Sequence, residues 1–257
     1  MNPAGLSPHS RRDRWLVLFG LVGITVVAWA YLLQSGRGMR IEAVMPPAGA
    51  EPVFEWTPTL AMWSVMMVAM MLPSAAPAIL LFDAISRQSE PPLPLAVPVF
   101  TFGYLAGWIA FSLLATLAQS ALYSAALLSP AMSIVNPAWS GALLVAAGLF
   151  QWTPLKSACL SRCRSPRSLF MTEWRGGLSG AFRLGLKHSG YCLGCCGLLM
   201  ALLFVVGSLN LIWVAVVATG VLVEKLAPSG RWISRIAGVL LFALGVWHIL
   251  QPAIVNR

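Results

Sequence analysis

Seven apolar runs, separated by polar and mostly basic segments, order the 257-residue chain. They cover residues 15–33, 58–82, 95–119, 139–152, 191–206, 209–223 and 232–250. A helix needs about 20 largely apolar residues to cross a bilayer. Most of these runs reach or approach that length; the fourth and sixth are short. The first run follows Arg11-Arg12-Asp13-Arg14. It is longer than the apolar core of a signal peptide and long enough to span, so it reads as an uncleaved helix. The pattern predicts an all-α, polytopic transmembrane helix bundle of about seven spans, with residues 1–14 as a cytoplasmic N-terminal tail and 15–257 as a single transmembrane domain.

Charge orients that bundle. With the N-terminus inside, the inner segments carry Arg11, Arg12, Arg14, Arg87, Lys156, Arg162, Arg164, Arg167, Arg175, Arg183, Lys187, Lys225, Arg231 and Arg235, which is 14 of the 17 Lys and Arg. Arg37, Arg40 and Arg257 remain outside, and Glu42, Glu51 and Glu55 fall in the first outer loop. The positive-inside rule then predicts N-in, C-out. Trp15, Trp56, Trp139, Trp152 and Trp232 stand at run ends, where an aromatic belt would lie.

Composition narrows the class. Hydrophobic residues make up 58% of the chain and charged residues only 10%, against about 25% charged in a soluble domain. A soluble enzyme, a disordered chain and a secreted disulfide scaffold do not fit. The net charge of +9 is accounted for by topology and by contact with anionic headgroups, so the lipid bilayer is the expected partner and nucleic acid is not.

Sulfur is distributed unevenly. Cys159 and Cys163 stand i, i+4 after the fourth run; Cys192, Cys195 and Cys196 stand i, i+3, i+4 at the start of the fifth. On helices each set projects from one face. The predicted topology puts both at the inner end, where cytosolic thiols stay reduced. Neighbouring Lys156, Arg162, Arg164 and Lys187 favour thiolates, which soft-metal binding or redox chemistry requires. Inert buried cysteine is the plain alternative. His188 precedes Cys192 by one turn and is a further candidate ligand.

The second run carries Met62, Met66 and Met70 at i, i+4, i+8, with Met67 and Met71 beside them. Thioethers suit Cu(I) and need no deprotonation, although methionine also fills irregular gaps in packing. Pro73 and Pro77 follow, kinking the helix and freeing carbonyls inside the bundle. Asp83 and Glu224 sit at inner helix ends, where Arg87 and Lys225 are the expected partners. No carboxylate is expected at depth, which argues against a proton-driven transporter. No Walker loop, Rossmann fingerprint or His-Glu-x-x-His occurs, so ATP hydrolysis by this chain is not expected.

Three segments carry a resemblance: Met66-Met67-Val68-Ala69-Met70-Met71-Leu72-Pro73-Ser74, then Thr153-Pro154-Leu155-Lys156 with Cys159-Leu160 and Cys163-Arg164, then His188 with Tyr191-Cys192-Leu193-Gly194-Cys195-Cys196. Over residues 56–250 the chain resembles a bacterial family of uncharacterised, predicted metal-binding integral membrane proteins. Gly197 departs from that family's pattern, which usually has tryptophan there. The resemblance implies a multi-pass protein of the bacterial inner membrane that binds metal; it implies no reaction.

The reading that follows is a membrane protein that binds a soft metal ion, Cu(I) by preference, and transports or delivers it, with a metallochaperone or another membrane subunit as partner. Oxygen-seeking Mg²⁺ and Ca²⁺ fit this donor set poorly; zinc at the cysteines is the competing metal. Two other classes stay open: a membrane thiol oxidoreductase using the Cys192–Cys195 pair, and a structural or assembly subunit of a membrane complex.

Overall fold

The computed structural model describes residues 8–44, 54–88, 95–129 and 132–255, without the side chains of 8–13, 36–44 and 252–255. Arg257 and Glu51 therefore lie outside the described residues, as do the side chains of Arg11, Arg12, Arg37, Arg40 and Glu42. Among the described residues ten helices follow in order: α1 (Pro8–Val44), α2 (Trp56–Ser86), α3 (Ala96–Ser124), α4 (Pro137–Phe150), α5 (Pro154–Arg164), α6 (Arg167–Thr172), α7 (Gly177–Ala201), α8 (Leu203–Val206), α9 (Leu211–Leu226) and α10 (Gly230–Val255). The fold is all-α. Among the described residues the sole β-type pairing is an isolated bridge between Leu128 and Ile134.

Each apolar run is mostly helical, with different limits. Five helical stretches are long and apolar enough to cross a membrane: Arg14–Ser35, Trp56–Ser86, Ala96–Ser124, Gly177–Val206 and Gly230–Gln251. The pair α4 and α5 qualifies only jointly and is bent by 66°. At 14 and 16 residues, α4 and α9 are about 21 and 24 Å long, short of a hydrocarbon core about 30 Å thick. The expected seven spans thus become five, or six with the bent pair, by length and composition. The segment 159–187 is not a loop. It holds the end of α5, all of α6 and the first turns of α7, which starts well before residue 191.

Glycine sets how closely the helices approach. Gly103, Gly107 and Gly185 sit where α3 and α7 cross: a methyl group on Gly185 would lie 2.1 Å from the Phe100 carbonyl oxygen, and one on Gly107 1.9 Å from Ser189 Oγ. Small residues allow backbones to meet where lipid tails offer no hydrophobic drive. Gly141 and Gly148 on α4 face Gly245 and Gly238 on α10, respectively, in an antiparallel pair. That pair carries its own small core of Leu144, Ala147 and Leu202. The main core gathers α1, α2, α3, α7 and α9, with α5 and α6 packed on it. Large apolar side chains also point outward, such as Phe19, Leu114, Ile212 and Trp232, a surface suited to lipid.

One end of the bundle is basic. Arg87 pairs with Asp83 there at 2.8 Å, as expected from sequence. Arg164 donates to the carbonyls of Ala227 and Pro228, and Lys187 bonds Glu173. That ammonium holds the Glu173 carboxyl below its ordinary range. The opposite end is closed by Trp63, which donates to Gln119 Oε1 at 2.6 Å and packs on Phe111 and Phe204.

Candidate metal centre

The α2 methionines are all buried: Met62 at 5%, Met66, Met67 and Met71 at 0%, and Met70 at 2% relative exposure. They face protein, not lipid. Met62, Met66 and Met70 continue one turn further to Ser74. That hydroxyl donates to the Met71 carbonyl and accepts from the Lys225 ammonium at 2.9 Å. Met67 and Met71 run beside them, and Met71 Sδ stands 3.8 Å from Cys196 Sγ. From sequence the methionines and cysteines were expected at separate depths. The structure joins them end to end.

On α7, His188, Cys192 and Cys196 form an i, i+4, i+8 stripe, each at most 2% exposed. Cys192 Sγ and Cys196 Sγ are 4.0 Å apart. Cys195 turns its thiol to the Cys192 carbonyl at 3.2 Å. The N-cap of α5 is Thr153, whose side chain accepts from the Lys156 amide; this starts the short helix that carries the other two cysteines. Cys163 is buried in the same core cluster as Cys192, Cys195 and Cys196. Cys159 lies against Gly194, where a methyl group would come within 2.7 Å of its Sγ. The two cysteine clusters therefore meet, with Cys159 the one thiol left partly exposed.

His188 is enclosed by the rings of Phe100, Tyr104 and Phe170, and its Nδ1 has no partner. An orphaned buried imidazole nitrogen one turn from Cys192 is a donor still available to a ligand.

Three residues have a part at the centre that the sequence reading did not give them. The Lys225 ammonium lies 2.8 Å from Cys192 Sγ. Glu224 does not pair with it, contrary to expectation. It takes the Lys156 ammonium at 2.7 Å and a bond from Ser234 at 2.7 Å. A buried ammonium requires a counter-charge, and of its two contacts, Ser74 and Cys192, the one that can become anionic is the Cys192 thiol. The third residue is Tyr104, whose hydroxyl donates to the Met71 carbonyl and touches Cys192 Sγ, both at 3.2 Å.

Among the described residues, no three His, Cys, Asp or Glu side chains stand in a ready-made metal-holding arrangement. The close contacts are instead between sulfurs of mixed kind. A metal about 2.3 Å from each of two sulfurs at the tetrahedral angle separates them by about 3.8 Å. The Met71–Cys196 and Cys192–Cys196 spacings are near that value. The donors are soft, and the Glu224 carboxylate is committed to Lys156. Such a set selects a soft cation over Mg²⁺ or Ca²⁺.

A family model described as PpoB2, copper chaperone, matches residues 60–248, well over half of the chain. The chain belongs to this copper chaperone family. No curated protein matches, and no solved structure does. The matched region begins beside Met62 and extends past Lys225, so it contains the α2 methionines, the five cysteines, Lys156 and Lys225. Membership fixes the metal-related character that the three-motif resemblance implied and points to copper. For a copper chaperone the metal is cargo, and a donor set that binds softly and releases is chemically apt.

Proposed function

We propose that this chain is a multi-pass protein of the bacterial inner membrane that receives Cu(I) on the methionines of α2 and passes it to the cysteines of α5 and α7 for delivery. Met62, Met66, Met67, Met70 and Met71 offer neutral thioethers, which capture weakly and let go. Cys163, Cys192, Cys195 and Cys196, with His188 beside them, hold the ion more tightly. Cys159, partly exposed, is the thiol from which a partner such as a metallochaperone or another membrane subunit takes it. The observation that carries this reading is the Met71–Cys196 contact of 3.8 Å, which brings the thioethers of α2 up to the thiol cluster and so supports a single path through both.

The thiol oxidoreductase alternative fits less well. Cys192 and Cys195 are 0% and 1% exposed, and disulfide exchange requires a partner sulfur to reach the attacking thiolate. Elemental analysis of the detergent-purified chain tests the function. Copper is expected in the wild type and is expected to fall away in a variant with Cys163, Cys192, Cys195 and Cys196 changed to serine. Stoichiometric zinc without copper would move the assignment to a zinc protein; a metal-free wild type after copper loading would end it.

We further infer that α4 and α9 cross with the five long helices, giving seven spans with the N-terminus in the cytoplasm and the C-terminus outside. The 14-to-3 division of Lys and Arg supports this, because each inner segment contributes to it. A reporter fused after Arg257 should be active only when it is outside the cytoplasm. Cytoplasmic activity would reverse the assignment of the final helix.

A further inference from the structure

Helix α2 runs antiparallel to α7 and to the short α8 that follows it, and one contact to each sets their alignment. Met71 meets Cys196 at 3.8 Å. Two turns further along, Trp63 meets Phe204, with ring centroids 5.1 Å apart. Between them, Met67 lies one turn from both Met71 and Trp63. Met200 lies one turn after Cys196 on α7 and four residues before Phe204 of α8, across the break at Leu202. Residues four apart on a helix share a face, so Met67 stands on the Met71 face of α2 and Met200 on the Cys196 face of α7, both at the level between the two contacts. Both are 0% exposed.

The surroundings of this level are distinctive. On one side stand the Met71 and Cys196 sulfurs. On the other stand Trp63 and Phe204, and the Trp63 bond to Gln119 at 2.6 Å holds that ring in place. Met200 also completes the stripe begun by His188, Cys192 and Cys196, at i+12. It has no neighbouring methionine on α7 to mark it as part of a packing run.

We propose that Met67 and Met200 form a second, all-thioether position for Cu(I), one helical turn beyond the Met71–Cys196 contact. The proposal rests on the copper reading above and deepens it by adding a residue and a stage. A site of two neutral thioethers carries no charge to hold a monovalent ion, so it binds more weakly than the thiols and exchanges faster. That is the property needed at the step before the cysteines.

The full chain in detergent, titrated anaerobically with Cu(I) against a chromogenic chelator, tests this. Two classes of bound copper are expected in the wild type: a tight class and a weaker one. Met200→Leu should leave the tight class unchanged and weaken the other by more than the roughly 10–100-fold that even an outer-shell change costs a metal site. Met67→Leu should do the same, and the double variant no more than either alone, because the two residues act as a unit. Met200→Ile repeats the test with a different side-chain shape, so that one folded variant suffices. A Met200 variant that keeps the weaker class overturns the proposal, as does a wild type with the tight class alone. A wild type that shows only a weak class, lost in Met200→Leu, keeps the thioether position while overturning the cysteine site.

Discussion

Replacing Lys156 with methionine is expected to destabilise the protein by about 3–5 kcal/mol, the usual cost of stranding one member of a buried ion pair. Lys156 and Glu224 have side-chain exposures of 1% and 6% and meet at 2.7 Å. Methionine retains most of the stem and removes the ammonium, so little packing volume is lost. The Glu224 carboxylate then keeps only Ser234 and has no counter-charge. Glu224→Leu in the Lys156→Met background should recover most of the loss, because a pair replaced by apolar groups no longer contains a stranded charge. Thermal unfolding of the three variants in one detergent provides the comparison. A single variant within about 1 kcal/mol of wild type would mean that water reaches Glu224 and that the pair behaves like a surface one.

The pair also has a positional consequence. It ties α5 to α9, and Arg164 adds a second tie through the Ala227 and Pro228 carbonyls. These links hold the helix that bears Cys159 and Cys163 against the α7 cysteines. The loss in Lys156→Met should therefore include the approach of the two thiol clusters as well as global stability.

Much of this arrangement could be read from the chain. The apolar runs mark the helices because no other element satisfies the backbone among apolar side chains. The meeting of the cysteine clusters was also legible, since both flank one segment at one end. Charge pairing was not. Glu224 was matched with Lys225 because they are adjacent, yet successive helical residues point about 100° apart and do not face each other. They contact different helices, Glu224 toward α5 and Lys225 toward α2 and α7. The start of α7 was missed because Gly180, Gly185, Arg183 and Lys187 interrupt the apolar pattern; its glycines serve close packing on α3 and on the preceding turn. Met200 and Tyr104 left no local signal. Each gains its place from the register of helices far apart in sequence.

The methionines of α2 separate two meanings of the same burial. On the copper reading, a Met66→Leu, Met70→Leu double variant should fold normally and lose Cu(I) uptake by intact cells, while copper added to broken membranes still binds at the cysteines. Leucine is nearly isosteric with methionine, so the packing cost is typically below about 1.5 kcal/mol per site; the soft donor is removed altogether. The stripe is well placed for such a role. Met66 and Met70 are buried at 0% and 2%, and the next residue along it, Ser74, is bonded to the ammonium that contacts Cys192. Loss at this stripe should interrupt passage toward the thiols without altering the thiols themselves. If the residues only fill space, both assays should match wild type. Uptake unchanged in the double variant would remove Met66 and Met70 from the path, leaving Met67, Met71 and the cysteines as its candidates.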